Sequence, residues 1–349
     1  MAARAAVSVA IVAALFVWVL PRVVGADYHA VLEQMRLLPA WELVVLSAVW
    51  LASLWIYAFA LRACLRDLTH PQAQVLNLTG SAVSNVAPFG GAVGIGVTYN
   101  MARSWGYTRS EISVEILVTG VFNVLTKLAL PVIALVGLTL AGRANASATT
   151  VAVTGLVIFA LIVAFFVMIE RSERATVTLG SALDRIWTAT ARRVGRDHPA
   201  SATQHLLDFR HATFTLVKRK WPVLSAALIG FKVSQFVLLY LCLHAVDPHT
   251  HLGPVEVFAA YALGRVLSTI PITPAGVGIV ETGSIAALTA LGGAGVACAA
   301  GVLLFSGFIY LLEIPLGAVT GLIWWRTRRW RGSHQPLDPT PADATATIP

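Results

Sequence analysis

Six ionisable residues sit in stretches of this sequence that are otherwise apolar: Glu115, Lys127, Lys232, Arg265, Glu281 and Glu313. Three are acidic and three are basic. A charge at the centre of a membrane helix costs about 2.5–3.5 kcal/mol on insertion scales, so the set implies mutual pairing or a watery cavity. As pairs they would only hold helices together. Along a cavity they could bind a charged head group or exchange a proton. Both readings are open from the residues, and Glu115 also suits an interfacial position. Glu115, Thr119, Asn123 and Lys127 recur every four residues, a polar stripe that drifts slowly round one helix.

Two further stretches, Pro88-Phe-Gly-Gly-Ala-Val-Gly-Ile95 and Pro274-Ala-Gly-Val-Gly-Ile279, break hydrophobic segments at matching places in the two halves of the chain. Backbone polar groups in a bilayer must be satisfied internally, so proline and clustered glycine at that depth belong beside a protected cavity. Paired interruptions of this kind point to a transporter's binding site. The helix restarting after each break offers free N–H groups and a dipole to an anion such as phosphate. The expected substrate-binding residues are Asn85, Gly90, Gly91 and Gly94 at the first break and Asn123 and Lys127 on the polar stripe. At the second break they are Tyr261, Arg265, Thr273, Pro274, Gly276, Gly278 and Glu281, with Glu313 from the last span. Glu281 could accept an ammonium or exchange a proton.

Composition sets the class. Hydrophobic residues make up 57% of the chain and charged residues 12%, with a mean hydropathy of +0.76, far from a soluble domain. Apolar runs at Ala5–Pro21, Leu43–Leu61, Ile112–Ala141, Ala148–Ile169, Pro222–Val246 and Gly295–Trp325 suit a hydrocarbon core that needs roughly 20 helical residues. The first run, between Arg4 and Arg22, lacks a small-residue cleavage site and reads as a retained helix. Cys64, Cys242 and Cys298 lie in or beside apolar runs and read as small buried hydrophobes.

The net charge of +8 does not indicate nucleic acid, because the basic residues cluster between spans. Segment 170–220 holds ten Lys/Arg against five acids, and Arg326, Arg328, Arg329 and Arg331 follow the last span, so both are expected in the cytoplasm. Trp41, Trp105, Trp221, Trp324 and Trp325 mark span ends. Span Leu43–Leu61 must then end inside, at Arg62 and Arg66. Segment 73–101 begins and ends inside, because Arg103 and Arg109 follow it. By the same reasoning segment 257–292 begins and ends outside. The expected fold is an all-α polytopic membrane protein with about six full spans and two opposed re-entrant hairpins, 73–101 and 257–292. N- and C-termini are cytoplasmic. The membrane domain covers 1–331, and 332–349 is a disordered tail rich in Pro, Thr, Ala and Asp. Within 170–220, spaced apolar residues fit either amphipathic helices on anionic inner-leaflet lipid or a solvated linker.

An offset of 184 carries Ser84 to Ser268, Ala92-Val93-Gly94-Ile95 to Gly276-Val277-Gly278-Ile279, and Pro131 to Pro315. Together with the topology, this points to an inverted repeat.

The sequence Tyr261-Ala-Leu-Gly-Arg265, followed by PITPAGVGIVE at 271–281, resembles the integral-membrane, flippase-type domain of lysylphosphatidylglycerol synthases and their stand-alone relatives. That family shows a Pro-Gly-Gly-hydrophobic-Gly-x-x-Glu motif there, and Ala275 replaces a usual glycine. The resemblance spans roughly residues 10–330. It departs around Thr119–Asn123, where a Glu-Arg-x-x-Asp element is common and the charged members are missing. The likeness implies lipid translocation across a bacterial-type inner membrane. It also implies that this chain, without the soluble aminoacyl-transfer domain, transfers no lysyl group.

The expected function is therefore translocation of an anionic, aminoacylated or polyprenyl-phosphate-linked lipid. No catalytic motif, cofactor or metal is expected, and Asp247, His249 and His251 are too sparse a set for a metal site. Partners would be the lipid substrate and anionic inner-leaflet lipids at the basic loop, with a homo-oligomer or a lipid-modifying enzyme also open. Two alternatives remain: a polytopic transferase acting on a lipid-linked substrate through Glu281 or Glu313, and a small-solute transporter.

Overall fold

The structure is a computed structural model that describes residues 33–87, 90–142, 202–269 and 276–326, with single positions at 157, 160, 161, 164 and 330. All regular elements among the described residues are helical. In chain order they are α1 (Ala40–Cys64), α2 (His70–Val86), α3 (Gly90–Trp105), α4 (Arg109–Leu140) and α5 (Ala202–Val246). These are followed by α6 (Pro254–Leu267), α7 (Ile279–Ala290), α8 (Gly295–Ser306), a π-helical segment (Gly307–Leu311) and α9 (Glu313–Arg326).

Four stretches are long and apolar enough to cross a bilayer: Ala40–Cys64, Arg109–Leu140, Lys218–Val246 and Gly295–Arg326. Large apolar side chains such as Trp55, Val124, Ile133 and Val233 stand exposed on them, as a lipid-facing surface requires. The chain is a multi-pass membrane protein. The expected spans Ala5–Pro21 and Ala148–Ile169 fall outside the described residues, apart from helical positions at Val157, Ala160, Leu161 and Ala164. The 332–349 tail also lies outside them.

Local chemistry sets the helix boundaries. The Thr108 hydroxyl accepts the Glu111 N–H at 3.2 Å, and the Glu111 carboxylate accepts the Thr108 N–H at 2.8 Å, a reciprocal cap that starts α4. At α2, Gln72 accepts the Thr69 N–H at 3.0 Å. Pro254 opens α6, where its missing N–H costs nothing. One boundary differs from the sequence reading. Helix α5 begins at Ala202, inside the segment read as a loop through 220, and continues into the span. Residues 202–221 contain no glycine or proline, and Pro222 removes only one hydrogen bond from a long ladder.

Helices α2 and α3 pack on each other as a hairpin, as do α6 and α7. The arms have 17, 16, 14 and 12 residues, so at the helical rise they are about 18–26 Å long, short of a hydrocarbon core of about 30 Å. Glycine brings the arms together. A Cβ on Gly94 would collide with the Ser84 hydroxyl and lie 2.8 Å from the Gly80 carbonyl oxygen, and one on Gly264 would lie 2.6 Å from the Ser284 hydroxyl. Each hairpin then docks on the other half of the chain. Helix α2 packs on α9 and α6 packs on α4, while α1 and α5 form the largest helix pair. The main core runs between them, with Trp50, Leu54, Leu239, Leu243, Val257 and Phe305 all buried.

The last span is not a plain α-helix. It widens into the π-segment Gly307–Leu311, and the Leu312 N–H returns to the Gly307 carbonyl at 2.9 Å. Pro315 has no N–H to give the carbonyl of Leu311, so the turn before it is free to relax.

Gly94→Ala should destabilise the first hairpin by about 1–3 kcal/mol through overpacking. Gly96→Ala, where an added Cβ meets nothing within 4 Å, should leave stability unchanged or raise it. Thermal unfolding of the two purified variants in detergent measures both.

Candidate functional site

Helices α4, α5, α6 and the π-segment converge on a buried polar centre. Arg265 on α6 is 8% exposed. Its Nη1 donates to Gln235 Oε1 on α5 at 3.3 Å, and the Tyr261 hydroxyl donates to the same oxygen at 3.3 Å. The guanidinium lies 5.5 Å from the Tyr261 ring centroid and close to Tyr310 on the π-segment. Lys232, one turn before Gln235, is 5% exposed and stands 5.2 Å from the Phe231 ring. Lys127 on α4 is half-buried. Lys232, Arg265 and Lys127 lie within electrostatic reach of one another.

These cations are not neutralised by contact. Among the described residues the only ion pair is Arg66–Asp67, on the surface at 3.4 Å. Glu281 and Glu313 face Arg265 from beyond ion-pair distance. Glu281 is 1% exposed, and its carboxylate is already engaged: it accepts the Gly278 N–H, and Ser306 donates to it at 2.7 Å. It therefore caps the start of α7, where Gly276 (φ 78°) and Gly278 (φ 88°) turn the chain through left-handed conformations that favour glycine. Glu313 lies beside Ser81 and Asn85 of α2, and the Asn85 amide donates to the Tyr310 carbonyl at 3.3 Å. The centre thus gathers three basic and two acidic side chains with no ion-pair contact between them, and one of the acids is committed to a helix cap.

A cavity of about 310 Å³ opens beside it, bounded by α1, α2, α3 and α4. Asn77, Ser81 and Asn85 line it from α2, and Glu115 and Asn123 from α4, with Tyr57 from α1. Asn123 donates to the Thr119 carbonyl at 3.1 Å and bonds the Tyr57 hydroxyl. Glu115 is 8% exposed, and the Thr119 hydroxyl donates to its backbone carbonyl at 2.8 Å with a carboxyl oxygen 3.4 Å away. Ser81 and Asn85 belong both to this cavity and to the surroundings of Glu313, so the cavity and the cationic centre are adjoining parts of one polar region.

The sequence-predicted residues separate into two groups. Lys127, Tyr261, Arg265, Glu281 and Glu313 gather at the cationic centre. Asn85, Gly91, Gly94 and Asn123 line the cavity. Gly90 is buried against the Ser84 backbone, outside the cavity wall, and Gly276 and Gly278 form the turn into α7. Thr273 and Pro274 lie outside the described residues. Three polar residues of the centre were not singled out from the sequence: Gln235, Ser306 and Tyr310. Gln235 carried a readable signal, because it follows Lys232 by three positions and so shares its helical face. Asp247, His249 and His251 form a turn in which the Asp247 carboxylate accepts the His249 N–H at 3.2 Å.

Paired helical hairpins, long apolar spans and a buried polar centre define a multi-pass membrane protein with an internal charged site. The chain belongs to the family of the lysylphosphatidylglycerol synthase transmembrane region, which it matches over residues 5–317. No curated protein matches it.

Glu281→Gln keeps one acceptor oxygen where two are used, so it should lower stability by about 1–3 kcal/mol. Ser306→Ala should cost less, because the cap survives. Thermal unfolding in detergent tests the order. Equal stability of Glu281→Gln and the native protein would remove the capping role.

Proposed function

We propose that this protein translocates an anionic lipid across the membrane, passing the head group through the polar region while the acyl chains stay in the bilayer. The lipids considered are anionic phospholipids, their aminoacylated forms and polyprenyl-phosphate-linked species. The observation that carries the reading is Lys232. Its amine is deeply buried with Arg265 and Lys127 near it, and none of the three basic side chains forms an ion pair among the described residues. Burying like charges together is costly unless something anionic joins them. A phosphate that enters and leaves supplies that charge only in transit. Membership of the family supports the lipid as cargo.

The two helical hairpins act as re-entrant elements that enter from opposite faces, in an inverted repeat. Their arms are too short to span, and the same offset of 184 relates residues with like roles. Gly80 and Gly264 bring the hairpin arms together, and Gly137 and Gly321 face the hairpin of the opposite half. The reciprocal docking of α2 on α9 and α6 on α4 is what a two-fold relation between the halves produces. In this arrangement both termini and the basic segment 170–220 face the cytoplasm, where exposed Lys218, Arg219 and Lys220 meet anionic inner-leaflet lipid. We take the chain to be a carrier and not a transferase. Incubation with lipid extract should give no product of changed mass.

Translocation is measured with head-group-labelled phosphatidylglycerol in vesicles, by quenching of the outer leaflet. Arg265→Ala and Lys232→Gln should each slow it at least about tenfold, a loss of roughly 1.4 kcal/mol or more of anion stabilisation. Lys218→Gln, at the surface, should leave the rate within about twofold. Native rates in both buried variants would overturn the site.

A further inference from the structure

We propose that Gln235 is a ligand of the anion as well as the residue that holds Arg265 for it. Its carbonyl oxygen fixes the guanidinium without cancelling the charge, and its NH2 group is a further donor to the oxyanion. The ligand chemistry is a phosphate oxyanion, carried on a lipid or free. This deepens the lipid-translocation reading above and rests on it for the source of the phosphate.

Chemistry fixes which end of the amide faces which neighbour. Arg265 has donors and no acceptor, so the Gln235 atom 3.3 Å from its Nη1 must be the oxygen. The Tyr261 hydroxyl donates to that same oxygen at 3.3 Å, which fills both of its lone pairs. The two N–H groups of Nε2 are left. They make no hydrogen bond among the described residues, although the side chain is only 5% exposed. Nor are they sealed off. The described side-chain atoms that are both sealed and unpaired are Glu42 Oε2 and Trp50 Nε1, so Nε2 opens on space that a small ligand can reach. Lys232 lies three positions earlier on the same face of α5 and forms no ion pair among the described residues. Donors thus gather where α5 meets α6, and the Gln235 oxygen among them is already filled. Phosphate oxygens only accept, so they complement this set.

Other residues at this position would serve one role and lose the other. A glutamate would hold Arg265 through the same kind of oxygen, but it would pair with the guanidinium and offer no donor. A methionine of similar length would leave the charge uncancelled and nothing to orient it, because Arg265 and Tyr261 would both lose their acceptor. An amide accepts from the arginine, donates to an anion and stays neutral. That contrast separates a ligand from a strut. A residue that only ties α5 to α6 is replaced well by glutamate, since an arginine bonds a carboxylate more strongly than an amide. A residue that serves the anion is not.

The experiment compares Gln235→Glu, Gln235→Met and the native full-length protein in detergent. Thermal unfolding reads stability, and native mass spectrometry reads the preference for phosphatidylglycerol over diacylglycerol of matched acyl chains. Gln235→Glu should unfold at or above the native temperature, and Gln235→Met below it. The lipid preference should run the other way. Gln235→Glu should lower it at least about tenfold, the worth of one hydrogen bond to a charged group, and Gln235→Met should lower it less. A preference that follows stability, smallest in Gln235→Met and native in Gln235→Glu, would overturn the ligand role while leaving an anionic-lipid carrier standing. Failure of Gln235→Glu to fold would overturn it too, because a carboxylate beside Arg265 should be tolerated. No preference in the native protein would overturn both readings. Displacement of phosphatidylglycerol by excess inorganic phosphate would assign the site to the free anion and overturn the lipid as its source, whereas retention would support the lipid. The Gln235→Glu result decides even where Gln235→Met fails to fold.

Discussion

Three basic side chains share a buried centre with two acidic ones that stop short of touching them, and the architecture is organised around holding that arrangement. An ion pair would have been the cheaper use of such charges in a low-dielectric interior, because mutual contact offsets part of the desolvation cost. Here the carboxylates are held elsewhere. Glu281 is drawn back to the Gly278 N–H and the Ser306 hydroxyl, and Glu313 lies beside Ser81 and Asn85. The neutral partners of the cations, Gln235, Tyr261 and Tyr310, orient Arg265 without neutralising it. The result is a centre whose charge is positioned but not cancelled.

Keeping those groups in place depends on close backbone approach. The hairpin arms meet at Gly80, Gly94 and Gly264, where an ordinary side chain would hold the helices apart. Gly317 serves the same purpose between α9 and α2: a Cβ there would run into the Leu78 carbonyl and Ala82. Small residues at helix contacts are the usual means of tight packing in membranes, where water expulsion supplies no drive between helices. The π-segment adds a second local device. By widening the last span at Gly307–Leu311 it places Tyr310 toward Arg265 and brings Glu313 to the first hairpin.

Similar hairpin geometry in the two halves carries different chemistry. At the offset that aligns their glycines, Ser81 corresponds to Arg265, so one arm contributes a neutral hydroxyl to a cavity and the other a guanidinium to the charged centre. The cavity forms at the first hairpin, between α1 and α4, and the cations gather where α5 and α6 meet α4. The polar region thus has a basic part at α5 and α6 and a part lined by amides and hydroxyls at the first hairpin.

Much of this was legible in the sequence. Hydropathy alone gives the membrane class, because an apolar run of about 20 residues has few other stable fates. The Pro–Gly breaks located both hairpins, since few other residues tolerate the backbone conformations at Gly276 and Gly278. The six intramembrane charges were conspicuous for their cost. What remained hidden was which of them would meet. Lys127, Lys232 and Arg265 are far apart in the chain, and periodicity along one helix says nothing about the face that another helix presents. Tyr310 looked ordinary because a tyrosine inside an apolar span can be a plain packing residue, and Gln235 was marked only by sharing a helical face with Lys232. The commitment of Glu281 to its own helix cap and the second bond it takes from Ser306 depend on atoms brought within about 3 Å by packing. Sequence therefore determined where charge and backbone irregularity had to be buried, since that follows from local composition and the bilayer. Only tertiary structure decided which buried groups satisfy one another and which stand without an ion-pair partner among the described residues, because that depends on distances between helices that no local pattern encodes.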